Sequence, residues 1–496
     1  MPSLPSCPRL KLKALAILSL YTFVVMLFVS NDSPLASINN HVDSAIFFMS
    51  GKAWANGLIP YVDFSDSKGP LLWFIEMVGY WISPTDYHGV WLLSVIVMTL
   101  TFYVCWLTAM QVLCRPRLSL CVAMTMAIPY FLGFSFLETR AETWCNLPVA
   151  YGIYLVVRLI KQKSNGYVPS LTVTQGAMLG VSVMACLLIK WSIAAMMMSL
   201  CLAVLLLSLK SGKKLLKSFG SFISGAALMA LPFVVYLVSV GAFVPFLREY
   251  FMATAATAGV GETVNLFGFY LNQARRIYHS PVSVASILLG LPGAYMLFCK
   301  NGWVKWLLPF CFCFFFAIAS YRNHWLYYLQ AVLSFSVLGM ICIASRCDTR
   351  ASMNTMKLAY YGMLSALLVI YIHSLYPVYH PDSNFVDVSE ADESINNHFG
   401  DKNSVKLLCY RSMDVGMGIG VNAIPATKYW TFQTGATPSM TSDQDDALRE
   451  GRADIIYALS AGYDSLIRNS GYMPIYMAAD SIPLGKVRVY IKSPNP

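Results

Sequence analysis

The stretch GLIPYVDFSDSKGPLLWF, residues 57–74, decides which kind of fold this sequence encodes. It lies between apolar runs in a chain of 496 residues that is 57% hydrophobic and only 12% charged. Asp63, Asp66 and Lys68 nonetheless fall within six positions, and Asp43 precedes them by twenty. Charged groups close to a lipid bilayer are costly, so a loop of this kind needs a functional or pairing reason.

Apolar runs suited to crossing a membrane recur along the first 376 residues. They predict eleven transmembrane helices, near residues 14–29, 88–111, 118–135, 144–160, 173–190, 192–209, 218–240, 281–298, 305–320, 326–344 and 358–376. After Tyr376 the sequence becomes polar and charged. We therefore predict a polytopic α-helical membrane domain over residues 1–376 and a small extracytoplasmic α/β domain over residues 377–496.

The loops between these helices are alternately basic and acidic. Six clusters of Lys and Arg fall on one side of the eleven-helix topology, and the positive-inside bias makes that side cytoplasmic. Of the eleven Asp and Glu before residue 377, all but Asp348 fall on the other side. We therefore predict a cytoplasmic N-terminus and an outer C-terminal domain. The net charge of +10 belongs to the cytoplasmic loops, which argues against a nucleic-acid partner.

Cysteine usage indicates the compartment. Twelve of the thirteen cysteines precede residue 377, and the outer domain contains only Cys409. An exported domain without an internal disulfide suits a bacterial plasma membrane better than a eukaryotic secretory route. No CxxC or HExxH pattern occurs, which argues against a dedicated structural zinc site.

The first outer loop, residues 31–87, contains two predicted interfacial helices. HVDSAIFFMSGKAWANG is typical of an amphipathic helix whose Phe47, Phe48 and Trp54 suit the membrane interface. GPLLWFIEMVGYWI is apolar but short for a membrane span, so it is predicted to lie along the surface. The charged stretch quoted above links the two helices.

Other outer loops also bring carboxylates and cations together. FLETRAETW contains Glu138, Arg140 and Glu142, and SYRNHWLYY contains Arg322 and His324. The outer side of the membrane domain retains eight basic residues against the positive-inside bias: Lys52, Lys68, Arg140, Lys190, Arg248, Arg275, Arg276 and Arg322. Cations beside carboxylates at headgroup depth suit an anionic lipid headgroup held close to a general base.

An Asp shortly after the first span, followed by the pattern G-x-x-P-Y-x-D-x-x-x-x-K-x-P, resembles the first outer loop of GT-C glycosyltransferases. The resemblance is greatest to the bacterial protein O-mannosyltransferase and aminoarabinose-transferase branch. The matching residues are Asp43, Gly57, Pro60, Tyr61, Asp63, Asp66, Lys68 and Pro70. Gly69 replaces the first proline of the usual Lys-Pro-Pro. RNHWLYYLQAVLSF is similar to the family's aromatic span entrance, without its usual proline.

The resemblance implies an inverting glycosyltransferase of the GT-C type. Such an enzyme moves a sugar from a polyprenyl-phosphate carrier to an acceptor glycan, lipid or protein at the outer leaflet, in cell-envelope glycan or glycoprotein synthesis. The acceptor hydroxyl needs a carboxylate base, and the departing lipid phosphate needs cations. Asp43 is the predicted base, although it could instead cap the helix that follows it. Lys68 is the leading predicted phosphate ligand, although it could be a surface lysine that reaches into the headgroups.

Further residues are assigned predicted roles around these two. Asp66 could orient Lys68, and Asp63 could bind substrate or only stabilise a turn. The remaining predicted phosphate or substrate ligands are Arg140, Arg275, Arg276, Arg322 and His324. His324, next to Trp325, could instead be an interfacial residue without a role in the chemistry. Glu138 and Glu142 could bind the acceptor or a divalent metal, or could simply pair with Arg140. The sequence establishes no cofactor and leaves a divalent metal open.

Two other classes of function compete with the transferase. A transporter or flippase of lipid-linked saccharides would have ionisable residues in the middle of its spans and inverted repeats. Here the ionisable residues cluster at span ends and no clear repeat is visible, which favours the enzyme. A non-catalytic assembly subunit would leave the set of carboxylates and cations unexplained.

The C-terminal sequence alternates helical and strand patterns. VSEADESINNHF and TSDQDDALREG predict helices, while SVKLLCY, KYWTFQT, ADIIYAL and KVRVYIK predict strands. The resemblance implies that such a domain covers the active site or helps to choose the acceptor.

Overall fold

The structure is a computed structural model. It describes residues 8–36, 42–133, 139–253, 266–278, 280–320, 326–346, 354–374, 388–400, 404–414, 416–432, 437–477 and 487–493. Three residues with predicted roles, Glu138, Arg322 and His324, lie outside these ranges.

The described part of the first 376 residues is helical almost throughout. Its α-helices are α1 Pro8–Val29, α2 Val42–Ala55, α3 Pro70–Ile82, α4 His88–Leu113, α5 Pro116–Thr125, α6 Ala127–Leu132, α7 Ala141–Ser164, α8 Val173–Ile189, α9 Trp191–Ser208, α10 Lys213–Ser239, α11 Phe243–Phe246, α12 Leu266–Tyr278, α13 Pro281–Met296, α14 Leu307–Ser320, α15 Gln330–Leu333, α16 Ser336–Arg346 and α17 Thr355–Ser374. A π-helical turn spans Leu247–Ala253, and 3₁₀ turns span Leu209–Ser211, Gly302–Trp306 and Leu326–Leu329.

The described part of every predicted membrane span is largely helical, although residues 118–133 and 326–344 each cover more than one helical segment. Within the described residues, eight helical segments are long and apolar enough to cross a bilayer: Pro8–Val29, His88–Leu113, Ala141–Ser164, Trp191–Ser211, Lys213–Ser239, Gly302–Ser320, Tyr327–Arg346 and Thr355–Ile372. The other three predicted spans fall on shorter apolar helices, Pro116–Leu132, Val173–Ile189 and Pro281–Met296. The prediction of a polytopic helical membrane protein is confirmed, and the count of eleven spans is not.

The C-terminal region forms a mixed five-stranded sheet. Its helices are α18 Val388–Phe399, α19 Pro438–Arg449 and α20 Asp464–Asn469, and its strands are β1 Val405–Cys409, β2 Ala423–Pro425, β3 Ile455–Ala458, β4 Tyr472–Met477 and β5 Arg488–Lys492. The strand order is β2-β1-β3-β5-β4. Strand β1 pairs in parallel with β2 and β3, whereas β5 pairs antiparallel with β3 and β4. The predicted small α/β structure is confirmed.

One predicted strand is wrong. Residues 428–432 of KYWTFQT form no strand, although the carbonyl of Trp430 accepts a hydrogen bond from the Cys409 N–H. The edge strand is β2 instead, which follows the glycine-rich segment 416–420. Strand β4 was not predicted. Its sequence YMPIYM contains a proline, and a register shift between Pro474 and Tyr476 interrupts its pairing with β5.

Helix α2 is not the interfacial helix that its sequence suggests. The helix itself is confirmed, but Phe47 and Phe48 are buried in the main hydrophobic core. One side of α2 packs closely on α3. The absence of a side chain at Gly51 allows this approach, since a Cβ there would collide with the backbone of Glu76. The other side of α2 meets β2 of the C-terminal sheet. Phe48 packs against Tyr80 and Tyr87, and Trp54 packs against Phe74 and Tyr236, so side chains that the sequence pattern assigned to lipid contact other parts of the membrane domain.

Lys52 joins α2 to the C-terminal domain. Its side chain is buried, and Nζ donates hydrogen bonds to the carbonyls of Gly418, at 3.0 Å, and Val421. Burial lowers the pKa of Lys52 to about 8, although attraction to Asp392 and Asp414 opposes part of this shift. The first loop and the C-terminal domain therefore lie at the same end of the helices.

Basic loops lie at the opposite end. Helix α7 shows the separation within one element, because Glu142 is in its first turn and Lys161 and Lys163 are in its last turn. The Lys163 ammonium lies 4.7 Å from the ring centroid of Trp303, in the turn that precedes α14. This arrangement agrees with the separation of acidic and basic loops that the sequence predicts.

We expect Lys52→Met to loosen the contact between the first loop and the C-terminal domain. Removal of the ammonium leaves two buried carbonyls without their donor, which should cost about 2–4 kcal/mol of unfolding free energy. Thermal unfolding of the full-length protein measures the loss of stability. In a separate assay, limited proteolysis of the folded protein measures how easily the C-terminal domain is cleaved. Lys406→Met removes an exposed lysine from β1 and should change neither readout. Equal stability of the two variants would contradict the role assigned to Lys52.

Candidate functional site

Charged and aromatic side chains from four segments converge at the end of the membrane helices that meets the C-terminal domain. We call this group the loop cluster, and it consists of Asp43, Lys68, Arg140, Glu142, Lys190, Tyr327 and Tyr328. The segments are the first loop with α2, the start of α7, the junction of α8 with α9, and the turn Leu326–Leu329.

Lys68 is held inside the cluster with its charge compensated. Its side chain is 13% exposed, and Nζ lies 3.8 Å from Asp66 Oδ2 and 3.0 Å from the Ser67 hydroxyl, to which it donates. Burial alone would lower the pKa of Lys68. Attraction to Asp66, and then to other members of the cluster including Asp43 and Glu142, outweighs this effect and raises the pKa above its ordinary value. The ammonium is therefore charged at neutral pH.

Asp43 lies in the first turn of α2 and is half-buried. Lys68 lies beside the same end of α2, because its Nζ is 5.2 Å from the ring centroid of Phe47, one helical turn after Asp43, and the Asp43 carboxylate helps to raise the pKa of Lys68. The adjacent Ser44 hydroxyl lies 3.5 Å from the carbonyl of Thr139, to which it donates. This contact connects the start of α2 with the residues that precede α7.

Glu142 and Lys190 form a buried ion pair at the centre of the cluster. Lys190 lies where extended backbone, with φ −152° and ψ 104°, separates α8 from α9. Its ammonium is 3.4 Å from the ring centroid of Tyr328 and 5.3 Å from that of Tyr327. A cation between a carboxylate and two electron-rich rings is stabilised on both sides.

Arg140 is the residue that caps the start of α7, and its guanidinium lies 4.3 Å from the Tyr327 ring centroid. A residue of the first loop holds the backbone next to Arg140: the Thr139 N–H donates a hydrogen bond to the buried carboxylate of Asp32 at 2.6 Å. Asp32 thereby ties the end of α1 to the start of α7.

The glycine in the Lys68–Gly69–Pro70 sequence has a structural reason. A Cβ at Gly69 would overlap the carbonyl oxygen of Leu188, and the Gly69 N–H donates to the Ile189 carbonyl at 3.0 Å. Proline has neither the space nor the N–H for this position. The departure from Lys-Pro-Pro therefore brings the end of α8, and with it Lys190, close to Lys68.

The predicted site residues divide into three groups. Asp43, Asp66, Lys68, Arg140 and Glu142 are brought together. Asp63 accepts a hydrogen bond from the Ile59 N–H at 2.7 Å, which is the turn role left open above. Arg275 and Arg276 are exposed on α12, a helix that packs against the turn Leu326–Leu329. Glu138, Arg322 and His324 are outside the described residues.

Sequence analysis missed part of the cluster. Lys190 was recognised only as one of eight retained outer cations, and Tyr327 and Tyr328 only as an aromatic span entrance. Asp32 was counted among the outer acids without a role. Basic residues retained on the predicted outer side were the sequence feature that pointed to the cluster. Each of those found in it, Lys68, Arg140 and Lys190, has a carboxylate or an aromatic ring beside it.

The arrangement can bind an anion and accept a proton. Within the described residues, no group of three or more His, Cys, Asp or Glu side chains is placed to hold a metal ion. Glu142, a predicted acceptor or metal ligand, is engaged by Lys190. What the cluster offers is a half-buried carboxylate, Asp43, beside ammonium and guanidinium groups that are partly shielded from water.

Comparison with solved structures identifies the fold. The chain is similar to ArnT from Cupriavidus metallidurans in the apo state, with a TM-score of 0.64, 12% identity and 97% of each chain covered. It is similarly related to the same protein bound to undecaprenyl phosphate, with a TM-score of 0.61, 11% identity and 97% coverage of both chains. A search with family models and a search of curated proteins find no match. The chain therefore shares the fold of these ArnT structures.

We expect Glu142→Gln to destabilise the protein by about 3–5 kcal/mol, because it leaves the Lys190 ammonium buried without its carboxylate. The double variant Glu142→Gln/Lys190→Met removes both charges and should recover at least half of that loss. Chemical or thermal unfolding of the purified protein measures both values. The control Glu450→Gln, in the exposed pair with Arg452, should change stability by less than about 0.5 kcal/mol. A double variant no more stable than Glu142→Gln would contradict this description of the pair.

Proposed function

We propose that this protein is an inverting glycosyltransferase that moves a sugar from a polyprenyl-phosphate carrier to an acceptor at the outer face of a bacterial plasma membrane. The proposal is supported above all by the proximity of Lys68 to the start of α2, which carries Asp43, in one loop cluster at the ends of the apolar helices. The shared fold supports it, because one of the similar ArnT structures is bound to undecaprenyl phosphate. The product would belong to cell-envelope glycan or glycoprotein synthesis.

In the proposed reaction, the acceptor hydroxyl oxygen attacks the anomeric carbon of the sugar. A bond forms between this oxygen and the anomeric carbon, on the face opposite the phosphate. The bond between the anomeric carbon and the phosphate oxygen breaks, and its electron pair leaves with the polyprenyl phosphate. Asp43 accepts the proton of the attacking hydroxyl, so that its carboxylate acts as the general base.

The cations of the cluster bind the leaving group. Negative charge grows on the phosphate as its bond to the sugar breaks, and fixed cations in a partly desolvated site stabilise that charge. Lys68 serves this role best, because neighbouring carboxylates hold it charged and buried before any substrate arrives. Arg140 reaches the same region above the Tyr327 ring. We also propose that Arg275, Arg276, Arg322 and His324 bind the phosphate or another part of the substrate.

Binding of the acceptor is assigned to the carboxylates on the α7 side. To bind a metal ion, Glu142 would have to give up its ion pair with Lys190. We therefore assign Glu142 to the acceptor side of the site, with that ion pair intact. We retain residues 1–376 as the catalytic membrane domain and 377–496 as the outer domain. The first loop, the loop cluster and the C-terminal domain lie at the same end of the membrane helices, which supports this division.

A flippase for lipid-linked saccharides is the alternative. It would carry the intact lipid-linked sugar across the bilayer, which calls for polar groups along the path. The charged groups of the loop cluster lie at helix ends and in loops, and Lys68 and Glu142 are compensated there. This location favours chemistry at the membrane boundary.

The proposal predicts that Asp43→Asn reduces sugar transfer by roughly 10²–10⁴-fold, because the amide cannot accept the proton. Carrier affinity should stay within about threefold of the wild type, because the cations that bind the phosphate are unchanged. Transfer is measured with the full-length protein in proteoliposomes, and affinity by binding of undecaprenyl phosphate. Asp86→Asn, in the same outer loop but bonded to Ser83 and His88, serves as the matched control and should keep normal activity. Normal transfer by Asp43→Asn would overturn the assignment of the base.

A further inference from the structure

Lys428 of the C-terminal domain makes two different contacts with the membrane domain. Its backbone carbonyl accepts a hydrogen bond from the Ser65 N–H at 3.0 Å, and its Nζ donates to Glu249 Oε1 at 2.8 Å. Ser65 directly precedes Asp66, the residue that compensates Lys68. One residue of the outer domain is therefore bonded to the loop that carries the phosphate-binding cation.

Glu249 is buried, with 8% of its side chain exposed, and lies in the π-helical turn Leu247–Ala253. Besides Lys428, it accepts hydrogen bonds from the Tyr429 hydroxyl, which is 3.1 Å from both carboxylate oxygens. A buried carboxylate needs this degree of pairing, since an uncompensated charge in such a place is strongly unfavourable. Turns of this rare helical type occur frequently at functional sites.

The same part of the chain approaches Lys68 from a second direction. The Phe246 ring lies 5.2 Å from the Tyr61 ring, between centroids, and the Tyr61 hydroxyl donates to the Lys68 carbonyl at 2.9 Å. Tyr250, next to Glu249, donates to the Leu187 carbonyl at 2.6 Å, three residues before Lys190. The segment 246–250 is therefore bonded or packed against both lysine-bearing parts of the loop cluster.

We propose that Glu249 and Lys428 are positioning residues for the transfer reaction. Their ion pair holds the backbone of residues 65–68, and through it Lys68, in the geometry that binds the departing phosphate. The outer domain is then part of the framework of the active site as well as a cover over it. This inference rests on the proposed function, and it assigns residues that neither the sequence pattern nor the loop cluster itself identifies.

Burial distinguishes this ion pair from the surface pairs of the same domain. The pair of Arg449 with Asp446 has side chains that are 70% and 40% exposed, and loss of such a pair is nearly neutral. Glu249 has little access to water with which to replace Lys428. When the ammonium is removed, the exposed Arg248, whose Nε lies 3.9 Å from Glu249 Oε1, stays near the carboxylate, but the bond between Glu249 and the side chain of residue 428 is lost. The backbone of residue 428, which holds Ser65, is then less constrained.

The experiment uses the full-length protein in lipid nanodiscs, with Lys428→Met and Glu249→Gln as disrupting variants. Lys428→Arg keeps the ion pair, and Arg449→Met is the control that removes an exposed pair. Two quantities are measured for each variant: the kinetic constants of sugar transfer, and hydrogen exchange of the backbone amides of residues 65–68. Thermal unfolding of each variant checks that it is folded.

We expect each disrupting variant to lower kcat by about 10–100-fold while KM for the carrier changes by less than about threefold, because a small misplacement of a catalytic group mainly affects the chemical step. The Ser65 amide should exchange at least tenfold faster than in the wild type. Lys428→Arg should restore both quantities in large part, and Arg449→Met should leave both at wild-type values.

Two results would overturn the inference. One is wild-type exchange of residues 65–68 in both disrupting variants, which would show that the ion pair does not hold the loop. The other is faster exchange with an unchanged kcat, which would make the pair structural only. If the wild type itself transfers no sugar from any polyprenyl-phosphate carrier, the proposed function fails, and the exchange data still decide whether the ion pair holds the loop.

Discussion

A buried ammonium beside a lipid bilayer is stable only when carboxylates compensate it, and the rest of this structure depends on that constraint. Lys68 satisfies it with Asp66 at 3.8 Å and with the wider field of Asp43 and Glu142. To bring these groups together, the first loop, the start of α7 and the junction of α8 with α9 must meet at one end of the membrane helices. The packing of α2 against α3, and the close approach of Gly69 to α8, serve this convergence.

The same constraint explains why the C-terminal domain is closely attached. Lys52 and Glu249 are buried charges that belong to the membrane domain, and both form hydrogen bonds with the C-terminal domain, Lys52 with Gly418 and Val421 and Glu249 with Lys428. Each buried charge without its partner would cost several kcal/mol, on the order of a large part of a domain's stability. The C-terminal domain and the loop cluster are therefore parts of one structure, and a change in either should affect the other.

The sequence predicts what depends on composition and short-range pattern, and it fails where distant segments decide the outcome. The helices and the separation of acidic and basic loops follow from hydropathy and charge bias, and the roles proposed for Asp43 and Lys68 follow from a thirty-residue resemblance. The Glu142–Lys190 pair joins residues 48 positions apart, so no local pattern predicts it. The burial of α2 was missed because its apolar side chains suit lipid and protein equally, and only the packing of α3 and the C-terminal domain around α2 distinguishes the two. KYWTFQT has the composition of a strand, but β1 takes its parallel neighbours from Ala423–Pro425 and Ile455–Ala458.

The central claim is that this cluster cleaves a sugar from its lipid carrier at the membrane boundary. The most direct measurement reconstitutes the purified protein in liposomes with lipid-linked sugars extracted from the source membranes and with an envelope acceptor fraction. Mass spectrometry then follows free polyprenyl phosphate and glycosylated acceptor over time. We expect one polyprenyl phosphate to be released for each sugar transferred, with inverted configuration at the anomeric carbon. Movement of intact lipid-linked sugar between leaflets, without release of polyprenyl phosphate, would contradict the account.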